Sequence, residues 1–185
     1  MTSIPKSAKQ VFKGTVFDVY QWKQKLFNGK HKIFEVAVRQ STISVIATIK
    51  DKIVVLHMQQ PRTPWYYTLP GGYIDVPGET PRQAALRELL EETGLKPKRF
   101  KLWRVYNEHS RMVSKHYFYI AQDCKKVSEI KPDGGEKIKV YLKSFDQFLQ
   151  FSSVDSFHNH GLMIEMLRAK LDPKLKNKFK KLIFG

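Results

Sequence analysis

Three glutamates stand close together in the middle of the chain, at Glu88, Glu91 and Glu92. In an α-helix, residues three and four positions apart lie on the same face, so a helix would bring these carboxylates together. Carboxylates this close repel one another unless a cation lies among them. All-oxygen ligands suit a hard divalent cation such as Mg²⁺ or Mn²⁺. The alternative interpretation is a solvated acidic helix face, because runs of charge usually face water.

The flanking sequence predicts the helix that must position these glutamates, from about Pro81 to Thr93. Thr80 can cap the first turn with its hydroxyl, and Gln83 can reach back to complete a capping box. Proline suits the first helical position because its missing N–H has no partner there. Gly94 supplies the left-handed residue that often ends a helix. The other face is expected to pack against a sheet through Ala85, Leu86, Leu89 and Leu90.

A longer pattern runs through the same stretch. It reads Glu79, seven residues, Arg87-Glu88-Leu89, one residue, Glu91-Glu92, one residue, Gly94-Leu95. This pattern resembles the box of the Nudix hydrolases. The resemblance implies a loop–helix–loop that binds Mg²⁺ or Mn²⁺ and cleaves a nucleoside diphosphate linked to another group. It also implies an α/β (α+β) Nudix fold, in which a mixed β-sheet lies between helices as an α/β/α sandwich.

The resemblance also assigns roles to individual residues. A backbone carbonyl of Gly71 or Gly72 would join the metal ligands. Arg87 and Glu79 would hold the loop and the helix in register behind those ligands. The side chains that would bind metal and take part in catalysis are Glu88, Glu91 and Glu92.

The chain departs from the family pattern in the turn before the helix. Six residues separate Gly72 from Glu79 where the family has five, as if Val76 were inserted. The helix and its glutamates are unaffected, so we expect metal binding to survive. The extra residue leaves open where the carbonyl ligand lies.

Candidate substrate contacts precede the glycine pair. The segment that ends at Arg62 resembles a glutamine–arginine stretch of Nudix pyrophosphatases that act on ADP-ribose or nucleotide sugars. A guanidinium can bind phosphate through two hydrogen bonds, although a solvated surface arginine fits as well. Trp65, Tyr66 and Tyr67 follow, and we expect one ring, with Trp65 and Tyr66 as the candidates, to stack on the base or ribose. The other aromatic rings would pack the loop.

Two further candidates follow the helix. Family members often contact the substrate from the loop that holds Arg111, which makes this arginine a candidate for binding phosphate. Glu136 lies in a polar loop with Gly134 and Gly135, just before a predicted strand. Its place resembles that of a glutamate that acts as general base or extra metal ligand in ADP-ribose-type Nudix enzymes. The alternative interpretation is a solvated turn.

The chain has 185 residues, close to one domain on a prior of roughly 100–200 residues. We expect an N-terminal β extension over residues 1–40, a Nudix domain over 41–171 and a basic amphipathic tail over 172–185. Asn28-Gly29 is a strong hairpin signal within the extension. This extension resembles the small β-subdomain of ADP-ribose pyrophosphatase-like members, where it often forms the dimer interface, so a homodimer is expected. The tail is expected to dock on its own domain, with an anionic surface or RNA as alternatives.

The end of the chain also shows helical patterns. We expect a helix from Asp155 to about Leu171. Leu171, Leu175, Phe179 and Leu182 would lie on one apolar stripe of a helix in the tail.

Composition sets wider limits on function. The net charge of +16 attracts polyanions, but charge alone does not separate a nucleotide enzyme from an RNA-binding protein. One cysteine excludes an internal disulfide framework. No apolar run approaches the roughly 18 residues of a membrane span, and the first residues lack the apolar core of a signal peptide. A cytoplasmic protein is therefore expected.

The resemblance favours hydrolysis of the diphosphate bond in ADP-ribose or a related nucleoside diphosphate sugar. A different Nudix substrate, an RNA 5′ end or a nucleoside triphosphate, is the first alternative, and the basic tail favours RNA. The N-terminal extension argues against a small enzyme that cleans up triphosphates. A non-catalytic module that binds nucleotide or RNA is the second alternative, and the complete set of carboxylates in the box argues against it.

Overall fold

The structure, a computed structural model, describes residues 4–107 and 111–185. Strands fill most of the chain up to residue 144 and helices follow, apart from one helix in the middle. The strands are β1 (Lys9–Lys13), β2 (Phe17–Lys25), β3 (His31–Arg39), β4 (Thr42–Ile49), β5 (Lys52–Gln59), β6 (Tyr66–Thr68), β7 (Leu95–Lys96), β8 (Arg99–Asn107), β9 (Met112–Val113), β10 (Lys115–Gln122), β11 (Lys125–Lys126) and β12 (Lys137–Ser144). The helices are α1 (Pro81–Thr93), α2 (Phe145–Gln150), α3 (His160–Leu171) and α4 (Pro173–Phe184).

The central sheet has the strand order β12-β5-β4-β10-β8, and β6 pairs with β5. Strands β4 and β10 run parallel, whereas the other pairs are antiparallel. Helix α1 packs on one face of this sheet, and α2, α3 and α4 pack on the other. The expected mixed sheet between helices is therefore confirmed.

Strand β5 shows how the sheet is buried on both faces. Val54 and Leu56 belong to the apolar cluster that includes Leu89 of α1. Ile53 and Val55 belong to the cluster on the opposite face, with residues of α2, α3 and α4. Successive side chains of a strand point to opposite faces, so a strand covered by helices on both sides becomes a continuous apolar run.

A second sheet, with the order β1-β2-β3-β9, contains the expected N-terminal β elements. Strands β2 and β3 form an antiparallel hairpin around Asn28-Gly29, and Gly29 has a φ of 80°. The predicted hairpin is confirmed. Strand β9, which follows α1 in the chain, pairs with β3 and joins this sheet to the rest of the fold.

Helix α1 has the predicted bounds and caps. Thr80 and Gln83 form the capping box, and Gly94 ends the helix in the left-handed conformation with a φ of 69°. The predicted apolar face was wrong at one position. Leu90 is 40% exposed, and Ala84 is buried instead, because the sheet contacts the helix slightly to one side of the expected stripe.

The C-terminal helices also differ in part from expectation. Helix α3 begins at His160, five residues later than predicted from the stretch after Asp155. The basic tail forms α4 and docks on its own domain through Phe179 and Ile183, as expected. Leu171, which was placed on the same apolar stripe, is 85% exposed.

None of the helices among the described residues is long and apolar enough to cross a membrane.

Candidate functional site

Glu92 joins α1 to the loop that carries the glycine pair. Its Oε2 atom accepts a hydrogen bond of 2.7 Å from the backbone nitrogen of Gly71. Glu92 is only 3% exposed, because it lies three residues after the buried Leu89 and faces the same way. Burial raises the pKa of this carboxyl well above its usual range, and the Gly71 N–H only partly counteracts that effect.

Glu88 lies against Gly72. A Cβ atom on Gly72 would come within 2.5 Å of Glu88 Oε1, so the missing side chain leaves space for the carboxylate. Burial raises the pKa of Glu88 to about 7, against the opposing effect of the Arg87 guanidinium. Burial therefore disfavours the charged form of both Glu88 and Glu92.

The glycine loop runs alongside β4. Val45 N donates to the Pro70 carbonyl at 2.8 Å, and Ile43 N donates to the Gly72 carbonyl at 2.9 Å. A Cβ atom on Gly71 would overlap the Ile43 carbonyl oxygen, so a glycine allows this close approach. The Gly72 carbonyl already accepts a hydrogen bond, which makes the Gly71 carbonyl the better candidate for a ligand.

Arg87 forms salt bridges with the surrounding carboxylates. Its guanidinium donates to both oxygens of Glu79, at 3.0 and 3.1 Å, and to Glu88 at 2.8 Å. It also reaches Glu91 and Asp75, each at 3.2 Å. Arg87 and Glu79 thus connect the loop to the helix, the arrangement that their expected role requires. Sequence reasoning missed Asp75, because nothing in its spacing connects it to a helix residue twelve positions later.

The charges around Arg87 do not balance. One guanidinium is shared by the carboxylates of Asp75, Glu79, Glu88 and Glu91, so carboxylates outnumber cations four to one in this cluster. A hard divalent cation suits such an excess of carboxylate oxygens.

The carboxylates of the described residues do not form a complete set of metal ligands. Among the described residues, no three histidine, cysteine, aspartate or glutamate side chains are arranged to hold a metal ion. Arg87 explains part of this, because it draws Glu88 and Glu91 to itself. The donor chemistry fits a divalent cation, and metal binding by these residues remains a proposal.

The extra residue in the turn is placed at the surface. Glu79 N donates to the Val76 carbonyl at 3.0 Å, which closes a four-residue turn. Pro77 is second in this turn and Gly78, with a φ of 80°, is third, which are the residues and the angle that a type II turn favours. Val76 is 48% exposed. The insertion therefore extends towards solvent and leaves the contact between Glu79 and Arg87 in place.

Glu136 lies on the same side of the molecule as the glutamates of α1. Gln60 Nε2 donates to Glu136 Oε1 at 2.9 Å. Burial raises the pKa of Tyr66 to about 12, and the charges of Glu136 and Glu92 add to the effect. The Tyr66 hydroxyl thus lies near both carboxylates, and the structure brings Glu136 towards the helix glutamates.

The aromatic candidates separate onto two faces of the central sheet. Tyr66 is buried, and its ring stacks on His158 with a centroid distance of 4.1 Å. Trp65 packs against His57 at 4.8 Å, and Lys139 Nζ lies 5.1 Å from the centre of its ring. His57 points to the face opposite α1, so Trp65 lies away from the helix glutamates.

The two arginine candidates lie in different parts of the fold. Arg62 is exposed, with a φ of 65°, in a turn that is closed by hydrogen bonds between Gln60 and Thr63. Because Gln60 also contacts Glu136, this turn borders the candidate site. Arg111 instead lies over the ring of Phe34 in the N-terminal sheet, 5.4 Å from its centre. The structure does not bring Arg111 to the carboxylates.

Comparison with known families agrees with this geometry. A family model described as the NUDIX domain matches residues 38–161, which is more than half of the chain. The chain belongs to the Nudix family. The family resemblance expected from the box is confirmed, and Nudix enzymes generally use divalent metals.

Two curated relatives differ in how much of the chain they match. An ADP-ribose pyrophosphatase of Bacillus subtilis (strain 168) is 35% identical over 94 residues, 49% of this chain and 50% of that enzyme. The chain thus aligns with about half the length of that enzyme. A methanol dehydrogenase activator of Bacillus methanolicus is 27% identical over 175 residues, 92% of this chain and 94% of that protein.

A solved structure supports the Nudix fold. The structure described as "Crystal structure of ADP compounds hydrolase" superposes with a TM-score of 0.73 at 19% identity. The match covers 91% of this chain and 94% of the other. At this identity the similarity shows the fold alone.

Asn159 supports the Nudix glycine loop from the other face of the sheet. Its Oδ1 atom accepts from Leu69 N at 2.8 Å, and its Nδ2 donates to Ser44 Oγ at 2.9 Å. His116 Nε2 lies 2.9 Å from the same Ser44 oxygen. Asn159 is 3% exposed and lies 90 residues after Leu69 in the chain. Sequence reasoning missed it, because it included this stretch in the predicted helix.

Proposed function

We propose that this chain hydrolyses the diphosphate bond of ADP-ribose or a related nucleoside diphosphate sugar. The products would be a nucleoside monophosphate and a sugar phosphate, which for ADP-ribose are AMP and ribose 5-phosphate. The observation that carries the proposal is the buried carboxylate of Glu92, bonded to the glycine loop beside Glu88. The name of the Bacillus subtilis relative supports the choice of ADP-ribose.

We propose Mg²⁺ or Mn²⁺ as the cofactor. Glu88, Glu91 and Glu92 would hold it, together with the Gly71 carbonyl. Once bound, such a cation would neutralise the negative charge that develops on the diphosphate oxygens. The excess of carboxylate around Arg87 supports this assignment.

Glu136 is our candidate for the general base. It would take a proton from the water that attacks one phosphorus atom, while the bond from that phosphorus to the bridging oxygen breaks. The bridging oxygen leaves with the second phosphate. The hydrogen bond from Gln60 would orient the Glu136 carboxylate for this step.

We propose Arg62 as a phosphate contact, because its turn borders Glu136. Of the two aromatic candidates, Tyr66 is the one near the carboxylates, although its stacking on His158 leaves less of its ring for a substrate. Trp65 and Arg111 lie away from the carboxylates. They would contact the substrate only after the segments that carry them move towards the site.

We propose a homodimer that forms through the N-terminal extension, residues 1–40. The family model begins at residue 38, which supports the boundary. The extension carries large apolar side chains that are exposed in the single chain, as expected of an interface. They are Val11, Phe12, Val16, Phe17, Phe27 and Ile33.

The single buried thiol, Cys124, supports a cytoplasmic location.

A substrate panel tests the proposed activity. Product release is measured with Mg²⁺ or Mn²⁺ from ADP-ribose, nucleotide sugars, dinucleoside polyphosphates, nucleoside triphosphates and 5′-triphosphorylated RNA. We expect ADP-ribose or a nucleotide sugar to be cleaved fastest. Faster turnover of RNA would contradict the proposal and move the function to the basic surface.

A second candidate function follows from the relative that matches nearly the whole chain. Its name describes the activation of a methanol dehydrogenase. We would add wild-type protein or Glu92→Gln to the methanol dehydrogenase of Bacillus methanolicus and measure its rate. Stimulation by wild type alone would support activation through hydrolysis, and equal stimulation by both proteins would support a role without catalysis.

A further inference from the structure

A groove of about 680 Å³ lies between β8, α3 and α4. Trp103 and Phe179, which line it, belong to the apolar cluster on the face of the central sheet opposite α1. The groove is therefore separate from the glutamates of α1. Its volume falls in the range of sites that bind small molecules.

The floor of the groove is apolar. It is formed by Trp103 of β8 and by Leu175, Phe179 and Leu182 of α4. Leu175 is 40% exposed, so part of this apolar surface faces water. A ligand with an apolar body would gain free energy by covering it, because apolar surface is removed from water.

Four cations surround this floor. Arg104 and Arg168 share one partner, because both donate to the same oxygen of Glu165, at 2.5 and 3.3 Å. Lys178 and Lys181 form no salt bridge with a carboxylate of the described residues. Four positive charges and one negative charge leave a net charge of +3 at the groove.

We propose that this groove is a binding site for a small amphipathic anion, an apolar chain or ring that carries a phosphate or carboxylate. The apolar floor would hold the body of the ligand. Lys178 and Lys181 would bind the anionic group, since each is a cation with donors available. This inference goes beyond the proposed hydrolysis and shares no residue with it.

The floor argues against single-stranded RNA as the occupant. Stable RNA binding to such a groove would use an aromatic face for base stacking. The guanidinium of Arg104 already lies over the Trp103 ring, 5.0 Å from its centre. Phe179 packs against the same indole at a centroid distance of 5.7 Å. An aliphatic or compact ring system therefore suits the groove better than a row of bases.

Calorimetric titration of the full chain with octyl phosphate, below its critical micelle concentration, tests the proposal. Octyl glucoside and inorganic phosphate serve as ligands that lack the charge or the apolar chain. We expect octyl phosphate to bind at one site per chain and to bind at least about tenfold more tightly than either control.

Charge-reversal variants locate the site. Lys178→Glu with Lys181→Glu should weaken octyl phosphate binding by about tenfold or more. Lys174→Glu with Lys125→Glu changes the net charge equally outside the groove and should alter binding by less than about twofold. Thermal melts of all variants check folding, and ADP-ribose hydrolysis, measured in parallel, should be unchanged.

No binding of octyl phosphate would overturn the proposal, and three further outcomes would also do so. Equal weakening in both double variants would show general attraction to a basic protein. Equally tight binding of inorganic phosphate would show a simple anion site. Binding to anionic phospholipid vesicles without binding to monomeric octyl phosphate would make α4 a membrane contact. If the wild-type protein does not hydrolyse ADP-ribose or a nucleotide sugar, the proposed function is refuted and the groove result is unaffected.

Discussion

Glu92 Oε2 lies 2.7 Å from the backbone nitrogen of Gly71, and this hydrogen bond fixes the end of α1 to the glycine loop. The bond lies inside the protein, where a carboxylate with few partners is costly. The loop is held on its other side by Ile43 and Val45 of β4. The helix glutamates and the loop carbonyls are therefore parts of one rigid unit.

Glu92→Gln separates the charge of Glu92 from its structural contact. The amide oxygen of glutamine can still accept from Gly71 N, but the negative charge is lost. We expect the melting temperature to be retained or raised and kcat on ADP-ribose to fall by about 100-fold or more. Glu129→Gln, which alters an exposed glutamate, is the matched control. Wild-type turnover in Glu92→Gln would disprove the metal assignment.

Gly72→Ala tests the space beside Glu88. The new Cβ would lie 2.5 Å from Glu88 Oε1, so the end of a flexible side chain must move, at small cost in stability. We expect activity to fall by about tenfold or more while the melting temperature changes little. Gly161→Ala, where the new Cβ would make only ordinary contacts with Tyr106, should keep full activity.

Gly71→Ala should behave in the opposite way. Its Cβ would overlap the Ile43 backbone, which cannot swing aside, so we expect a large loss of stability and a low yield of folded protein. Thermal melting of the two alanine variants compares them directly. A stable Gly71→Ala protein would contradict the close packing of this loop against β4.

Asn159→Ala tests whether Asn159 supports the glycine loop from the face of the central sheet opposite α1. The side chain does not cap α3, so its loss acts through Leu69 N and Ser44. We expect a loss of about 1–3 kcal/mol in unfolding free energy and a lower kcat, because Leu69 leads into the glycine pair.

Ser44→Ala is the matched control for Asn159. It removes one hydroxyl of the same network but leaves the bond between Asn159 and Leu69. It should lower stability and keep kcat, and it should leave the Mn²⁺ concentration for half-maximal activity unchanged. If both variants lose kcat equally, the loss does not come from the bond between Asn159 and Leu69, and Asn159 does not position the loop through it.

His116 predicts a pH dependence of stability. Burial and the nearby Arg39 lower the pKa of His116 from 6.5 to about 4 in the folded protein. The unfolded chain therefore takes up a proton first as the pH falls, so this contribution is fully present above pH 6.5 and is lost between 6.5 and 4. The loss would be about 2–3 kcal/mol.

Urea unfolding of wild type and His116→Gln between pH 7 and pH 4 measures this effect. Glutamine can still form a hydrogen bond with Ser44 but does not titrate in this range. We expect the variant to show a clearly smaller decrease in unfolding free energy. Parallel curves for the two proteins would show that other groups cause the acid sensitivity.

Local features of the chain were predictable because their causes lie within a few residues. Thr80, Gln83 and Gly94 set the ends of α1 through their own hydrogen bonds and backbone angles. The helical repeat then placed Glu88, Glu91 and Glu92 along one side. Asn28-Gly29 set its hairpin in the same way. The sequence alone thus determined the family, the helix of the box and the kind of ligand atoms that it offers.

Only the tertiary structure decided which residues meet across the chain. Asn159 reaches a backbone nitrogen 90 residues away, and Asp75 joins Arg87 across a turn whose path depends on the extra Val76. The pairing of β6, which begins at Tyr66, with β5 decides that Tyr66 faces α1 and that Trp65 packs with His57 on the other face. Such contacts arise when separate elements pack together, and no local spacing in the sequence specifies them.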